Sequence, residues 1–181
     1  MKGKTGIFRI ATGVCLLLSF CLCLPASAQL FGKDDEDDTV KKEWEVELPP
    51  FPEEANLLFF YVSPIQTQKF AIDETSLVVG ESEIRYTLVA ISPSGVKNIT
   101  YEGMQCNGGK YRRYAFGRFD NTWSLSRRDE WRDIHFLDAN RPQASLALNF
   151  FCQGKSIAGA PKDMLFKIRH NRSLQEDKWG R

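Results

Sequence analysis

The sequence predicts an α+β domain: an antiparallel meander with C-terminal helices packed on one face of its sheet, held by one disulfide. Three observations carry this expectation. Apolar and aromatic runs of strand length follow one another from Asn56 to Phe119, separated by short turns rich in Ser, Pro, Gly and Asn. Two stretches that open on a proline and carry spaced apolar residues come afterwards, from Pro142 and from Pro161. Beyond residue 28 only two cysteines remain, Cys106 beside a predicted hairpin and Cys152 in the later segment. Strands first and helices afterwards place the helices against one side of an antiparallel sheet.

The elements follow in chain order. "NLLFFYV" (56–62) is a short apolar run ended by Ser63-Pro64. "FAIDETSLVV" (70–79) is strand-like but interrupted, and a turn is expected around Asp73-Glu74. "EIRYTLVAI" (83–91) leads into the turn Ser92-Pro93-Ser94-Gly95, and "VKNITYEGMQC" (96–106) returns. Asn107-Gly108-Gly109 is the strongest hairpin signal in the chain, because both central residues tolerate positive φ. "KYRRYAFGRF" (110–119) is the next strand. A helix start is read at Asn140-Arg141-Pro142, with Leu146, Phe150 and Cys152, or Leu148 and Phe151, available to one face; Phe150-Phe151 equally suits a strand. In "GAPKDMLFKIRH", Met164, Leu165 and Ile168 are expected to point inward.

The N-terminus reads as an export signal. Lys2, Lys4 and Arg9 precede an uncharged apolar run, Ile10 to Leu24, and Pro25-Ala26-Ser27-Ala28 supplies the small residues of a cleavage site between Ala28 and Gln29. The run is shorter than the roughly 20 residues that span a bilayer, which argues against a retained anchor. Phe20 and Leu22 precede Cys21 and Cys23 where a lipoprotein signal wants a small residue. No second apolar run of spanning length follows. Residues 1–28 are therefore expected to be a signal peptide, 29–52 an acidic, Pro-containing flexible leader, and 53–181 one globular domain. The cluster Asp34 to Asp38 lacks the alternating ligands and glycine of a calcium loop, and reads as a solvated leader.

Cleavage changes the charge. All 23 acidic residues lie beyond the signal, against 21 basic ones, so a net +1 for the whole chain becomes −2. That balance offers no global attraction to nucleic acid or membranes, and any electrostatic recognition must be local. Cleavage also removes Cys15, Cys21 and Cys23. Cys106 and Cys152, an even pair in an oxidising compartment, are read as one disulfide. A redox pair would ordinarily be C-x-x-C, and a zinc site would need both histidines, His135 and His170, so both alternatives weigh less.

One stretch does concentrate positive charge. Between Lys110 and Arg132 seven basic residues face three acidic ones, giving +4 on a chain that is −2. Arg112, Arg113, Arg118, Arg127, Arg128 and Arg132, interleaved with aromatics that include Trp123 and Trp131, form a candidate anion-binding surface, since guanidinium forks hold phosphates and carboxylates and stack on flat rings. The structural reading weighs more: aromatics in the core, arginine stems over it, heads paired to acids. Simple alternation would put Arg112, Tyr114, Phe116 and Arg118 on one strand face and Tyr111, Arg113, Ala115 and Gly117 on the other.

The ordered combination "GVKNITYEGMQC", "YRRYAFGRFDNTWSLSRRDEW" and "NFFC" resembles the cryptic neisserial protein-like (CNP-one-like) family of small exported proteobacterial proteins. Cys106, Cys152, Trp123 and Trp131 fall where that pattern has them. The resemblance implies an exported domain and carries no catalytic residue or cofactor.

The chain has no G-x-S-x-G, H-E-x-x-H, P-loop or C-x-x-C motif after the signal. The expectation is a non-catalytic periplasmic binding or envelope-support module that recognises an envelope protein or anionic envelope component and needs neither cofactor nor metal, with release or outer-membrane association as alternatives to the periplasm. The alternative is a periplasmic hydrolase using carboxylates or His135.

Overall fold

The computed structural model describes residues 46–128, 130–135 and 142–176, within a compact unit that runs from Trp44 to Arg181. The expected signal peptide, the Ala28–Gln29 cleavage site and residues 29–45 of the expected leader lie outside the described residues. Strands β1 (Leu57–Phe60), β2 (Lys69–Val79), β3 (Ile84–Ile91), β4 (Lys97–Gln105), β5 (Lys110–Gly117) and β6 (Trp123–Leu125) pair in chain order, each antiparallel to the next. A two-residue strand, β7 (Arg132–Asp133), pairs with the start of β5. Helix α1 (Pro142–Leu146) continues as a π-helical turn over Ala147–Phe151. A short ribbon of β8 (Cys152–Gln153) and β9 (Ser156–Ile157) and helix α2 (Pro161–Arg169) follow among the described residues. The fold is the expected α+β meander.

Period-two alternation explains the layering. One face of the sheet presents Ile72, Ile84, Tyr86, Leu88, Met104 and Tyr111 to the helical layer of Leu146, Phe150, Phe151, Met164 and Ile168, all buried. Tyr86 meets Phe151 edge-on with ring centres 5.1 Å apart. Helix α2 begins as its proline foretold, and the Asp163 carboxylate accepts the Ala160 N–H at 3.3 Å, satisfying one orphan donor of its first turn. Met164 and Ile168 face inward as expected, and Leu165 packs at the rim.

The Cys106–Cys152 disulfide joins the end of β4 to the start of β8, with sulfurs 2.01 Å and Cα atoms 5.5 Å apart. It lies within the core between sheet and helices.

Two local readings change. The turn expected at Asp73-Glu74 is a bulge within one continuous strand: the β2–β3 register shifts between Asp73 and Val78. Buried Asp73 accepts the N–H and hydroxyl of Thr75 at 3.0 and 2.8 Å. Ser76 Oγ donates to the Asp73 carbonyl and accepts the Thr87 N–H, both at 2.8 Å. These side chains satisfy backbone groups that the extra residues would otherwise strand, so no turn is required. The second change lies on the opposite sheet face. The segment 46–52, which the sequence assigns to the leader, runs along that face. Val46 and Leu48 pack against Tyr101, Tyr114 and Ala115, Phe51 lies 5.3 Å from the Trp123 ring, and Trp123 Nε1 donates to the Pro49 carbonyl at 2.9 Å.

Candidate anion-binding surface

The site is built on a split edge. Strand β5 pairs along one side with β4, but its other side is shared: β6 takes Ala115–Gly117 and β7 takes Lys110–Tyr111. Arg113 sits between these two pairings. The loop that crosses the gap starts with the Ser126 N–H donating to the Tyr114 carbonyl at 2.8 Å. Ser126 Oγ then donates to the Arg128 carbonyl at 2.9 Å and accepts the Arg128 N–H at 3.3 Å, so one hydroxyl closes the turn carrying Arg127. Arg132 is held by its pairing with Tyr111.

A second bulge decides which side chain joins Arg113 on its face. Glu102 pairs with Arg113 and Tyr101 with Ala115, so Tyr114 is the extra residue on β5. Alternation restarts there. Tyr111, Arg113 and Phe116 share the helix-side face, while Arg112, Tyr114, Ala115 and Gly117 turn toward the face covered by residues 46–52. This replaces the uninterrupted alternation expected from the sequence, which separated Phe116 from Arg113.

Four of the six candidate arginines consequently converge. Arg113, Arg127, Arg128 and Arg132 line one open depression of about 390 Å³, with Phe116, Leu125 and Ser126 completing its wall. Phe116 and Leu125 are exposed, and no carboxylate lines it among the described residues. The other candidates go elsewhere. Arg112 is buried between aromatic rings, its guanidinium carbon 4.4 Å from the centre of Tyr114 and 5.3 Å from that of Trp131. Arg118 lies in the β5–β6 turn, beside Asp120. Trp123 is occupied by Phe51, Tyr101 and Pro49.

Next to the depression lies a cleft of about 340 Å³ with which it shares Arg113 and Phe116. Its floor is Glu102, 0 % exposed. Glu102 Oε1 accepts from Thr100 Oγ1 at 2.9 Å, Arg113 Nε at 3.0 Å and Gln143 Nε2 at 3.1 Å. Its Oε2 accepts from the Tyr86 hydroxyl at 3.2 Å and from Gln143 Nε2 at 2.9 Å. Burial works against the charge on Arg113, but the adjacent Glu102 carboxylate outweighs it, and the Arg113 pKa lies above the ordinary guanidinium value. Burial pushes the Tyr86 hydroxyl well up, and Glu102 adds to the rise. The Glu102 carboxylate is fully engaged and organises the groups around it.

Sequence reasoning missed Glu102, Tyr86 and Gln143. The available signal was a lone acid on the same β4 face as Met104, facing a hairpin partner rich in arginine. His135 is exposed just after β7 and lines neither cavity. A third depression of about 480 Å³, flanked by Glu47, Glu81 and Glu83, lies by the β2–β3 turn. There Glu83 Oε1 accepts from Arg85 Nε at 3.2 Å and from the Tyr114 hydroxyl. Among the described residues no cluster of three or more His, Cys, Asp or Glu is placed to hold a metal ion, and no helix is long and apolar enough to cross a membrane.

A disulfide-bonded α+β meander with a basic notch at its split edge is the class that fold and site define. The chain belongs to the CNP1-like family, whose model matches residues 36–169. No curated protein and no solved structure is significantly similar to it.

Proposed function

We propose that the chain is an exported envelope protein, cleaved after Ala28 and working in the periplasm, that binds an anionic envelope component in the arginine-lined depression. One observation carries the binding reading: Arg113, Arg127, Arg128 and Arg132, from three separate chain segments, surround one concavity in a protein whose secreted form has a net charge of −2. Arg113 is paired through its Nε with Glu102, and no carboxylate is among the described residues that line the depression itself. Exposed Phe116 and Leu125 give a ligand apolar contact beside the charges. The export reading is supported by the N-terminal residue pattern and by a disulfide of the kind that persists in oxidising compartments.

Purified disulfide-bonded protein titrated with polyphosphate tests the binding reading. Affinity falls on the order of tenfold or more between 50 and 300 mM salt, in the manner of counterion release from a few guanidinium contacts. Arg127→Ala and Arg128→Ala each weaken binding several-fold, whereas Lys155→Ala, in the exposed β8–β9 turn, does not. No binding, or binding indifferent to salt, overturns the reading. The intact mass of the protein recovered from the periplasm tests export: a chain beginning at Gln29 supports it, and a full-length chain refutes it.

A further inference from the structure

We infer that the cleft beside the arginine depression recognises a saccharide, and that the ligand is an anionic sugar whose phosphate or carboxylate occupies the depression while its ring enters the cleft. The inference rests on the anion-binding reading above and deepens it. The two cavities are contiguous, since Arg113 and Phe116 line both. Their chemistry differs. The depression offers guanidinium groups, while the cleft offers neutral amides: Gln68, Asn98 and Gln143 line it, with Thr100 at its floor.

The hydrogen-bond inventory makes the cleft a receptor for hydroxyl groups. Gln143 spends its Nε2 on both oxygens of Glu102, which fixes the amide orientation and presents its Oε1 as an acceptor. Among the described residues, the side-chain amides of Gln68 and Asn98 engage no other group, although Asn98 stands on β4 opposite Ala90 of β3. Each carries two donors and an acceptor, the complement of a hydroxyl that both gives and takes a hydrogen bond. The Glu102 carboxylate is buried and its charge is offset by Arg113 at 3.0 Å, so the acid in the cleft is already paired. Arg113 commits its Nε to Glu102 and keeps its terminal nitrogens for a ligand spanning both cavities. The exposed Phe116 ring at the boundary supplies the flat apolar surface on which a sugar's C–H face rests. Each cavity lies at the lower end of the roughly 300–1,000 Å³ typical of ligand sites, in keeping with one polar group apiece.

The test compares three probes by calorimetric titration: polyphosphate, a phosphorylated maltoheptaose free in solution, and the same oligosaccharide on a lipid anchor in phosphatidylcholine vesicles. The phosphorylated oligosaccharide binds more tightly than polyphosphate of equal charge. Gln68→Ala and Asn98→Ala, both exposed and without structural partners, each weaken its binding about fivefold and leave polyphosphate binding unchanged. Free and lipid-anchored forms bind alike. Wild-type affinity of both variants for the oligosaccharide, or binding to the vesicles alone, overturns the inference while leaving the anion site standing. Failure of all three probes to bind removes the anion site itself.

Discussion

Arg113 Nε lies 3.0 Å from Glu102 Oε1, the two residues standing opposite each other in the β4–β5 register just before the bulge at Tyr114. The carboxylate is sealed from water, while the arginine side chain remains 32 % exposed. That asymmetry sets the consequence of removing either partner. Glu102→Ala strands the Tyr86 hydroxyl and the Gln143 amide in the interior, at about 1–3 kcal/mol for each unsatisfied donor. Arg113 turns to solvent at lesser cost. We expect a loss of about 2–5 kcal/mol in urea unfolding for Glu102→Ala and a smaller loss for Glu102→Gln, which keeps an acceptor oxygen. A Glu102→Ala protein as stable as wild type would mean that the network contributes nothing net.

The disulfide closes a loop between residues 46 apart in sequence. In the chain-entropy description such a crosslink removes denatured-state freedom worth about 4 kcal/mol. The paired variant Cys106→Ser/Cys152→Ser, which avoids a lone thiol, should lower the unfolding free energy by about 2–4 kcal/mol. Reducing the wild-type protein should lower it by a similar amount. Equal urea midpoints for oxidised and reduced protein would show that sheet and helices hold together without the bridge.

The meander was legible in the sequence because its turn chemistry is explicit: Gly95 and Gly109 both adopt positive φ, at 83° and 58°, where Ser-Pro-Ser-Gly and Asn-Gly-Gly placed them. The proline starts of α1 and α2 were legible for the same local reason. What escaped was set by tertiary pairing. Bulges at Asp73 and Tyr114 carry no composition signal, yet the second brings Phe116 to the face of Arg113. The stretch "RRDEWRD" encloses β7, which pairs with the edge of β5 that β6 leaves open. Arg132 comes to the depression through the β7 pairing and Phe116 through the bulge, so sequence spacing named the arginines without sorting them.

Three tyrosines make stability sensitive to alkali. Burial raises Tyr86, Tyr101 and Tyr114, with Glu102 adding to the first and Glu83 to the third. A hydroxyl whose folded pKa exceeds its unfolded value of about 10 contributes stability that is complete below that pH and is lost as pH climbs toward the folded value. Each raised tyrosine steepens the decline by up to about 1.4 kcal/mol per pH unit. Urea midpoints measured from pH 9 to 11.5 should fall throughout the upper half of that range, and absorbance titration should show the same groups ionising only as the fold is lost. Tyr86→Phe lowers stability at neutral pH by removing its bond to Glu102, and it flattens the alkaline slope. An unchanged slope would exclude Tyr86 as a source.

Gly103 is required by a close approach. A Cβ there would sit 2.1 Å from Glu83 Oε1 and 2.8 Å from Tyr114 Cε2. Alanine must therefore displace the Tyr114–Glu83 hydrogen bond from β4, at about 1–3 kcal/mol for an overpacked site. Gly80→Ala, whose added carbon would come no nearer than 3.4 Å to Glu83 O, should change stability by less than about 0.5 kcal/mol. Equal effects of the two substitutions would contradict the packing described between Gly103, Glu83 and Tyr114.

The segment 46–52 sets where the folding unit begins. Val46, Leu48 and Phe51 are each half-buried against the sheet face that carries Tyr101 and Tyr114, and Trp123 binds the Pro49 carbonyl. Partial burial of three apolar side chains is worth about 2–4 kcal/mol at roughly 25 cal/mol per Å². A chain starting at Glu53 should therefore lose about that much stability relative to one starting at Trp44, and Trp123 should become more accessible to acrylamide quenching. Trp123→Phe separates the two contributions, since it keeps the ring contact with Phe51 and loses only the indole donor; its cost should be about 1 kcal/mol. Equal stability of the two chain lengths would return residues 46–52 to the leader and leave Tyr101 and Trp123 to solvent.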